Sequence, residues 1–365
     1  MNNILYNSDV VMKKIQSKRI RKSIVAQAKL EEVRFFPIQK DSTPLVTIIC
    51  LCYNHENYIS RCIESILNQK VNFSVEILIH DDASIDGSQS IIESYKNKYP
   101  NIIRTFFEKT NQYSKGVNIE DKILSKFIRG NYVAFCECDD YFLDTYKLVS
   151  QVFCFRKYDD ICFAVHRTKC ENSDGKLLRL IPGNVNKSYI FGRKKIVPNI
   201  ITNYTFHTTS YFLKADDYKK YCTNSPLFVA KTKVGDYPLQ LYFANLGKTL
   251  YLNDVMSVHV DNVPGSWTNK NRNASVTVKN EALSNIIDCI SLFDEYTCHT
   301  YHKTCLKKIA TLEMHQLFNS NKFFEIISKK KYARALKKYD FRTFLGLFLR
   351  FKHPTIYRLV KRLRV

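Results

Sequence analysis

No run of about 18 consecutive apolar residues occurs in this 365-residue sequence, so no transmembrane helix is expected. The apolar cluster FLGLFL (344–349) is far too short to span a bilayer. The N-terminus lacks an apolar core behind its first charges, so a secretory signal is not expected either. Internal repeats and low-complexity tracts are missing. Tryptophan is nearly absent: Trp267, in VPGSW, is the only one, placed to stack on a sugar face or simply to pack. The 12 cysteines follow no repeating frame, and several sit in apolar runs, as Cys50, Cys52, Cys136 and Cys162 do. That pattern argues against a disulfide framework and for buried, reduced thiols in a cytosolic protein. The C-x-C pairs at 50/52 and 136/138 have no second Cys/His pair nearby, so a zinc site built on them is not expected.

Acidic residues are scarce at both ends. Residues 1–40 hold nine Lys/Arg against three acids, and residues 321–365 hold fourteen against two. Most of the net charge of +22 therefore lies outside the nearly balanced middle. The C-terminal stretch FRTFLGLFLRFKHPTIYRLVKRLRV interleaves basic and apolar side chains. This suits a membrane-surface helix better than a phosphate-tracking tail, because contact with an anionic bilayer needs apolar area as well as charge. A basic helix capping the domain is the plainer alternative. Nothing in the middle of the chain supports nucleic-acid binding.

Between the basic ends the pattern is regular. Residues 1–43 read as a basic helical extension ending before Pro44. VTIICLCY (46–53) is a candidate buried strand, followed by a helical pattern over 54–69 with Asn54 as its N-cap. VEILIH (75–80) is a second strand, IIESYKNKY (91–99) a helix, and IIRTFFE (102–108) a third strand. NIEDKILSKFIRG (118–130) reads as a helix and YVAFCE (132–137) as a fourth strand. Such alternation predicts an α/β fold, a mostly parallel sheet flanked by helices. Farther on, a helix is expected over 147–158, strands over 161–170, 203–214 and 249–260, and a helix over 233–248. Residues 171–205 read as irregular, and 275–365 as mainly helical.

In parallel sheets ligands bind at the carboxyl ends of the strands. Three polar stretches fall there: YNHEN (53–57), HDDAS (80–84) and ECDD (137–140). Buried like charges repel unless they are paired, protonated or metal-bound. Acids at two strand ends therefore point to a divalent cation, Mn²⁺ or Mg²⁺, bridging to phosphates.

These three motifs, in this order and spacing, resemble the nucleotide-sugar domain of family 2 glycosyltransferases, which have the GT-A fold. The resemblance covers roughly residues 44–265, with a helical, basic region over 271–365 beyond the domain at 44–270. It implies that Tyr53 stacks on the base, with the backbone near Leu51 against it, and that Asp82, beside Asp81, accepts from a base N–H. Glu137 stands where the family more often has the first Asp of D-x-D. Asp139 and Asp140 would contact the ribose and the metal, and which of the two is the ligand stays open. Asp236, in KVGDYPLQ, matches the family's catalytic base. His207, in FHTTSYF, would lie near the acceptor, and His259 near the diphosphate or metal.

The resemblance implies a metal-dependent inverting transfer from a nucleotide sugar, with UDP as the expected carrier. The acceptor would be a glycan or lipid-linked glycan. Lys- and Asn-rich composition with few glycines suggests an AT-rich bacterial genome, and with it the resemblance implies surface-polysaccharide synthesis, in the cytoplasm and, from the basic C-terminus, peripheral on the inner face of the cell membrane. Assembly into a homo-oligomer stays open. A catalytically inactive scaffold that keeps the fold is the alternative, and Glu137 is its best support.

Overall fold

A computed structural model describes residues 18–19, 43–117, 119, 123–158, 160–183, 185, 187–203, 206–232, 235–263, 269, 274–322, 325–326 and 332. In chain order the elements are β1 (Lys18–Arg19), β2 (Val46–Cys52), α1 (Ile59–Leu67), β3 (Val75–Asp81), α2 (Ser88–Lys98), β4 (Ile103–Phe107), β5 (Tyr132–Phe135) and β6 (Tyr141–Phe142). They continue as α3 (Lys147–Lys157), β7 (Ile161–Glu171), β8 (Leu177–Ile181), β9 (Tyr189–Phe191), α4 (Arg193–Asn203), β10 (Phe212–Lys214), α5 (Ala215–Thr223) and α6 (Leu227–Ala230). The last are α7 (Asp236–Leu246), β11 (Lys248–Val260), α8 (Val276–Tyr296) and α9 (His302–Asn319).

The strands form one sheet in the order β1-β9-β11-β7-β10-β5-β2-β3-β4, with β6 on β11 and β8 on β7. Strands β5, β2, β3 and β4 run parallel, and the near-continuous buried runs of β2 and β3 fit a sheet covered on both faces. β10 is antiparallel to both β5 and β7, so the sheet is mixed across its middle. Beyond that seam, β11 pairs in parallel with β7 over Lys248–Val260. The chain separates into two compact units, one of residues 1–226 and 235–269 and one of 227–234 and 270–365.

Several elements differ from the sequence reading. Lys18–Arg19, inside the stretch read as helical, is a two-residue strand pairing with Tyr189 and Ile190; the rest of residues 1–42 lies outside the described residues. Asn54 is not an N-cap. It adopts a left-handed φ of 57°, and its Oδ1 accepts from the Ile85 N–H, while α1 starts at Ile59. The expected helix over 118–130 shows a 3-10 turn at Leu124–Phe127 among its described residues. The expected strand over 203–214 is a 3-10 turn at Thr208–Ser210 followed by the short β10. Residues 171–205 are not irregular: they hold β8, β9 and α4, which tolerates Pro198 inside it. β8 and β9 are short and partly exposed, so no alternation marks them in the sequence. Trp267 and the basic C-terminus from 333 onward lie outside the described residues. Among the described residues, no helix is long and apolar enough to cross a membrane.

The smaller unit is helical. α8 and α9 pair through Gln316, whose amide donates to the Asn280 carbonyl (2.9 Å) and to Ser284 Oγ (2.7 Å). Phe293 packs against Phe228 of α6 and stacks on Tyr301.

At the amino end of the parallel strands sits a buried carboxylate, Glu76 on β3. It accepts from Thr47 Oγ1 (2.7 Å), the Arg129 N–H (2.7 Å), Arg129 Nε (2.7 Å) and Arg104 Nη1 (3.2 Å). Nearby, Gly130 donates its N–H to Thr47 Oγ1, and a Cβ on it would lie 2.6 Å from the Thr47 nitrogen, so only glycine fits. Burial opposes ionisation of Glu76, but the donors outweigh it and hold its pKa below the ordinary value. Its stabilising contribution is therefore complete above the unfolded-state pKa and is lost as pH falls through the lower folded-state value. Glu76→Gln is expected to cost about 3 kcal/mol in denaturant unfolding at pH 7. The gap between the two proteins should narrow below about pH 4. A pH-independent gap would show that the carboxylate charge is not what the site uses.

Candidate active site

The carboxyl ends of β2, β3 and β5 open onto one rim. The loops after β2 and β3 are laced together there. Asn54 N–H donates to Ser84 Oγ (2.8 Å), His55 N–H to Ser88 Oγ (2.9 Å), and Gly87 N–H to Glu56 Oε2 (2.7 Å). Asn54 and Ala83 both adopt left-handed backbone, at φ 57° and 63°, an unusual conformation for side-chain-bearing residues that the lacing holds in place.

The expected residues take distinct positions on this rim. The Leu51 carbonyl accepts from the Cys138 N–H (3.0 Å), tying β2 to the acidic turn. Tyr53 follows directly after β2 and is partly exposed. Asp81 is buried, and its Oδ1 accepts from the Ser84 N–H and Gln89 Nε2, which fixes the start of α2. Asp82 is buried and accepts from the N–H groups of Gln112 (2.6 Å) and Tyr113 (3.0 Å). It therefore anchors the 112–113 loop over the rim.

In the ECDD turn, the Glu137 carbonyl accepts from the Asp140 N–H (2.9 Å), closing a tight turn. Asp139 faces His55, with Oδ2 3.8 Å from Nε2. Asp140 is 1% exposed, and its Oδ1 accepts from the Val260 N–H (3.0 Å) and lies 3.0 Å from His259 Nδ1. Its Oδ2 is buried without a hydrogen-bond partner and lies 3.7 Å from His207 Nδ1. The His207 and His259 rings stack at 4.2 Å between centroids. Asp140, His207 and His259 thus present three ligand atoms within 4.8 Å of one another.

The charges fit this packing. Burial raises the Asp140 pKa to about 6, against the opposing pull of His259. Burial lowers that of His259, but the Asp140 carboxylate more than reverses it and raises it above the ordinary value. Burial, with His259 beside it, holds His207 well below the ordinary value and therefore neutral. A hydroxyl chain supports the imidazoles: His207 Nδ1 to Thr209 Oγ1 (2.9 Å), Thr209 to Ser257 Oγ (3.1 Å), and Ser257 to Thr168 Oγ1 (3.1 Å).

Asp236 is the first residue of α7 and partly exposed. Burial raises its pKa to about 6 against the stabilising backbone N–H groups of the helix start. Tyr113 reports its surroundings: burial first, then the charges of Asp236 and Glu137, raise the pKa of its hydroxyl.

The sequence reading did not single out His55, Thr209 or Ser257. His55 had a usable signal, since it stands three residues beyond β2 on the same rim. The two hydroxyls had none, because their role depends on β7, β11 and the 208–210 turn meeting in space.

Comparison with known proteins follows this geometry. The model of the family described as "Glycosyl transferase family 2" matches residues 47–218. An uncharacterised protein of Mycobacterium tuberculosis is 34% identical over 130 residues, 36% of this chain and 37% of that protein. The minor teichoic acid biosynthesis protein GgaA of Bacillus subtilis is 35% identical over 33% of this chain and 26% of its own length. The poly(ribitol-phosphate) beta-glucosyltransferase of Bacillus spizizenii is 37% identical over 26% of this chain and 15% of its own. The chain thus spans little more than a third, at most, of the length of these curated relatives. The crystal structure of S. aureus TarS 1-349 in complex with UDP-GlcNAc superposes with a TM-score of 0.53 at 17% identity, covering 84% of this chain and 81% of that one. The sheet and its flanking helices share that GT-A architecture, and α8 and α9 form a helical C-terminal region. This chain carries a glycosyl transferase family 2 domain.

Proposed function

We propose that the protein is a metal-dependent, inverting glycosyltransferase that moves a sugar from a UDP-sugar to a hydroxyl of a glycan or lipid-linked acceptor in bacterial surface-polysaccharide synthesis. The observation that carries this reading is the cluster of Asp140, His207 and His259 on the rim, with Asp236 poised as a base at the start of α7. The teichoic-acid name of one relative, the poly(ribitol-phosphate) name of another, and the UDP-GlcNAc in the TarS complex support the surface-polymer setting and the uridine carrier.

The residues fit a divalent cation. One buried carboxylate oxygen lacks a hydrogen-bond partner, and a neutral imidazole lies beside it. Carboxylate and imidazole together suit Mn²⁺ or a similar ion. Asp140 and His259 would hold it, with His207 adjoining and Asp139 turned toward the ribose by His55. Bound there, the cation would stabilise the negative charge that grows on the nucleoside-diphosphate leaving group.

The chain's own groups do the rest. Tyr53 stacks on the base. Asp82 has accepted two loop N–H groups, and a carboxylate offers about four acceptor positions, so capacity remains for a base N–H. Asp236 accepts the proton of the acceptor hydroxyl as that oxygen attacks the anomeric carbon. The bond from the anomeric carbon to the diphosphate oxygen breaks on the opposite face, and the configuration inverts. A carboxylate with a pKa near 6 is ionised at neutral pH yet basic enough to take the proton. The membrane part of this reading rests on the basic C-terminus, and the homo-oligomer on no observed contact.

Asp236→Asn is expected to lower kcat by about 10²–10⁴-fold while UDP binding, measured by calorimetry, stays the same. Wild-type kcat/KM should fall on the acid side with an apparent pKa near 6. Full turnover in the Asn variant would remove Asp236 from the mechanism, and UDP-sugar binding without transfer by the wild type would favour the scaffold. His259→Ala should weaken UDP binding in Mn²⁺ by at least about 10-fold and leave metal-free binding unchanged. Equal loss with and without Mn²⁺ would mean that His259 does not act through a cation.

A further inference from the structure

The helical unit holds a second cluster that glycosyl transfer does not use. The turn from α8 to α9 reads DEYTCHTYHKTC (294–305), with six side chains of metal-ligating type at Asp294, Glu295, Cys298, His299, His302 and Cys305. We propose that Asp294, His299 and His302 form a second metal site, for a borderline transition metal such as Zn²⁺, that locks this helix–helix turn.

The geometry is the first argument. Asp294 Oδ2 lies 2.9 Å from His299 Nδ1 and 2.7 Å from His302 Nδ1, and the three ligand atoms fall within 4.8 Å of one another. A zinc ion with tetrahedral ligands at about 2.0–2.1 Å has donor–donor edges of roughly 3.3 Å. The two edges from Oδ2 need to open by only a few tenths of an ångström to admit it. One carboxylate and two imidazoles are also a donor set found in zinc sites.

The second argument is what the hydrogen bonds leave undone. Both imidazoles converge on one oxygen of Asp294, while Oδ1 is buried with no hydrogen-bond partner. The Asp294 side chain is only 9% exposed, whereas those of His299 and His302 are 63% and 50% exposed. A buried carboxylate that gathers two half-exposed imidazoles on a single oxygen is more than a plain surface ion pair requires. A cation at the open side of the cluster would take Oδ2 and both imidazoles and leave one position to water. Cys305 is buried beside Asp294 and bonds its carboxylate, and the ligand atoms that lie within 4.8 Å of one another are those of Asp294, His299 and His302.

The third argument is the backbone. Cys298 and His299 adopt left-handed conformations in succession, at φ 47° and 58°. Such residues cost free energy that the surrounding structure must offset. The His299 N–H bonds the Asp294 carbonyl (2.8 Å), which turns the imidazole back toward the carboxylate. Metal coordination across Asp294, His299 and His302 would staple the end of α8 to the start of α9.

The test separates this site from the rim. The full-length chain carrying Asp140→Asn, stripped with a chelator, is titrated calorimetrically with Zn²⁺. One equivalent should bind with a dissociation constant on the order of micromolar or tighter, and Zn²⁺ should raise the melting temperature. Adding His299→Gln and His302→Gln should weaken that event by about 100-fold and abolish the thermal shift. Zn²⁺ binding of equal stoichiometry and affinity with and without the two imidazoles would overturn the proposal, as would no binding to the Asp140→Asn chain. Should the double variant fail to fold, Co²⁺ bound to the Asp140→Asn chain decides by pulsed EPR. Couplings from two imidazole nitrogens support the site, and their absence overturns it.

Discussion

Burying the Asp140 carboxylate is the constraint on which the rim depends. An ionised carboxylate removed from water costs several kcal/mol unless it is met by charge and hydrogen bonds. Here the compensation comes from a strand 120 residues away in sequence: the Val260 N–H and the His259 imidazole, both at the end of β11. That requirement draws the second half of the sheet against the first. β10 bridges β5 and β7, β7 carries β11 in parallel, and β11 delivers His259 to the acidic turn. His207 stacks on His259, and the hydroxyls of Thr209, Ser257 and Thr168 fix the pair from below.

The other half of the rim is set by a different rule. Parallel strands β5, β2 and β3 end together, so the loops after them must converge. Those loops use their polar residues on each other: Asp81 fixes the start of α2, Asp82 holds the 112–113 loop, and Asn54, Glu56 and Asp86 close the remaining turns. The acids of HDDAS are therefore tied to the loops through Asp81 Oδ1 and both oxygens of Asp82, while Asp81 Oδ2, like Asp140 Oδ2, is buried without a hydrogen-bond partner. The two acidic turns differ in their partners: HDDAS bonds the neighbouring loops, and Asp140 of ECDD bonds the end of β11.

This division explains how far the sequence could be read. The alternation of apolar runs with helical spacing over 46–157 follows from burial on two faces, so the parallel half and its three rim motifs were legible. Asp140 and His259 could be named, but the contact between them could not, because it depends on the β7–β11 register. Residues 171–205 misled because β8 and β9 are short, partly exposed strands without strong alternation. Asn54 looked like a helix cap by its type and position, yet its side chain caps nothing and bonds across to the neighbouring loop. His55 stood in view, three residues beyond β2, but only the fold sets it opposite Asp139. The α8–α9 turn was passed over as part of a helical tail.

The most direct test of the rim is anomalous diffraction at the manganese edge from crystals grown with UDP and Mn²⁺. The account predicts one strong peak at inner-sphere distance from Asp140 and His259, touching the diphosphate of bound UDP. UDP bound on the rim with no manganese beside Asp140, or manganese bound there through neither residue, would contradict it.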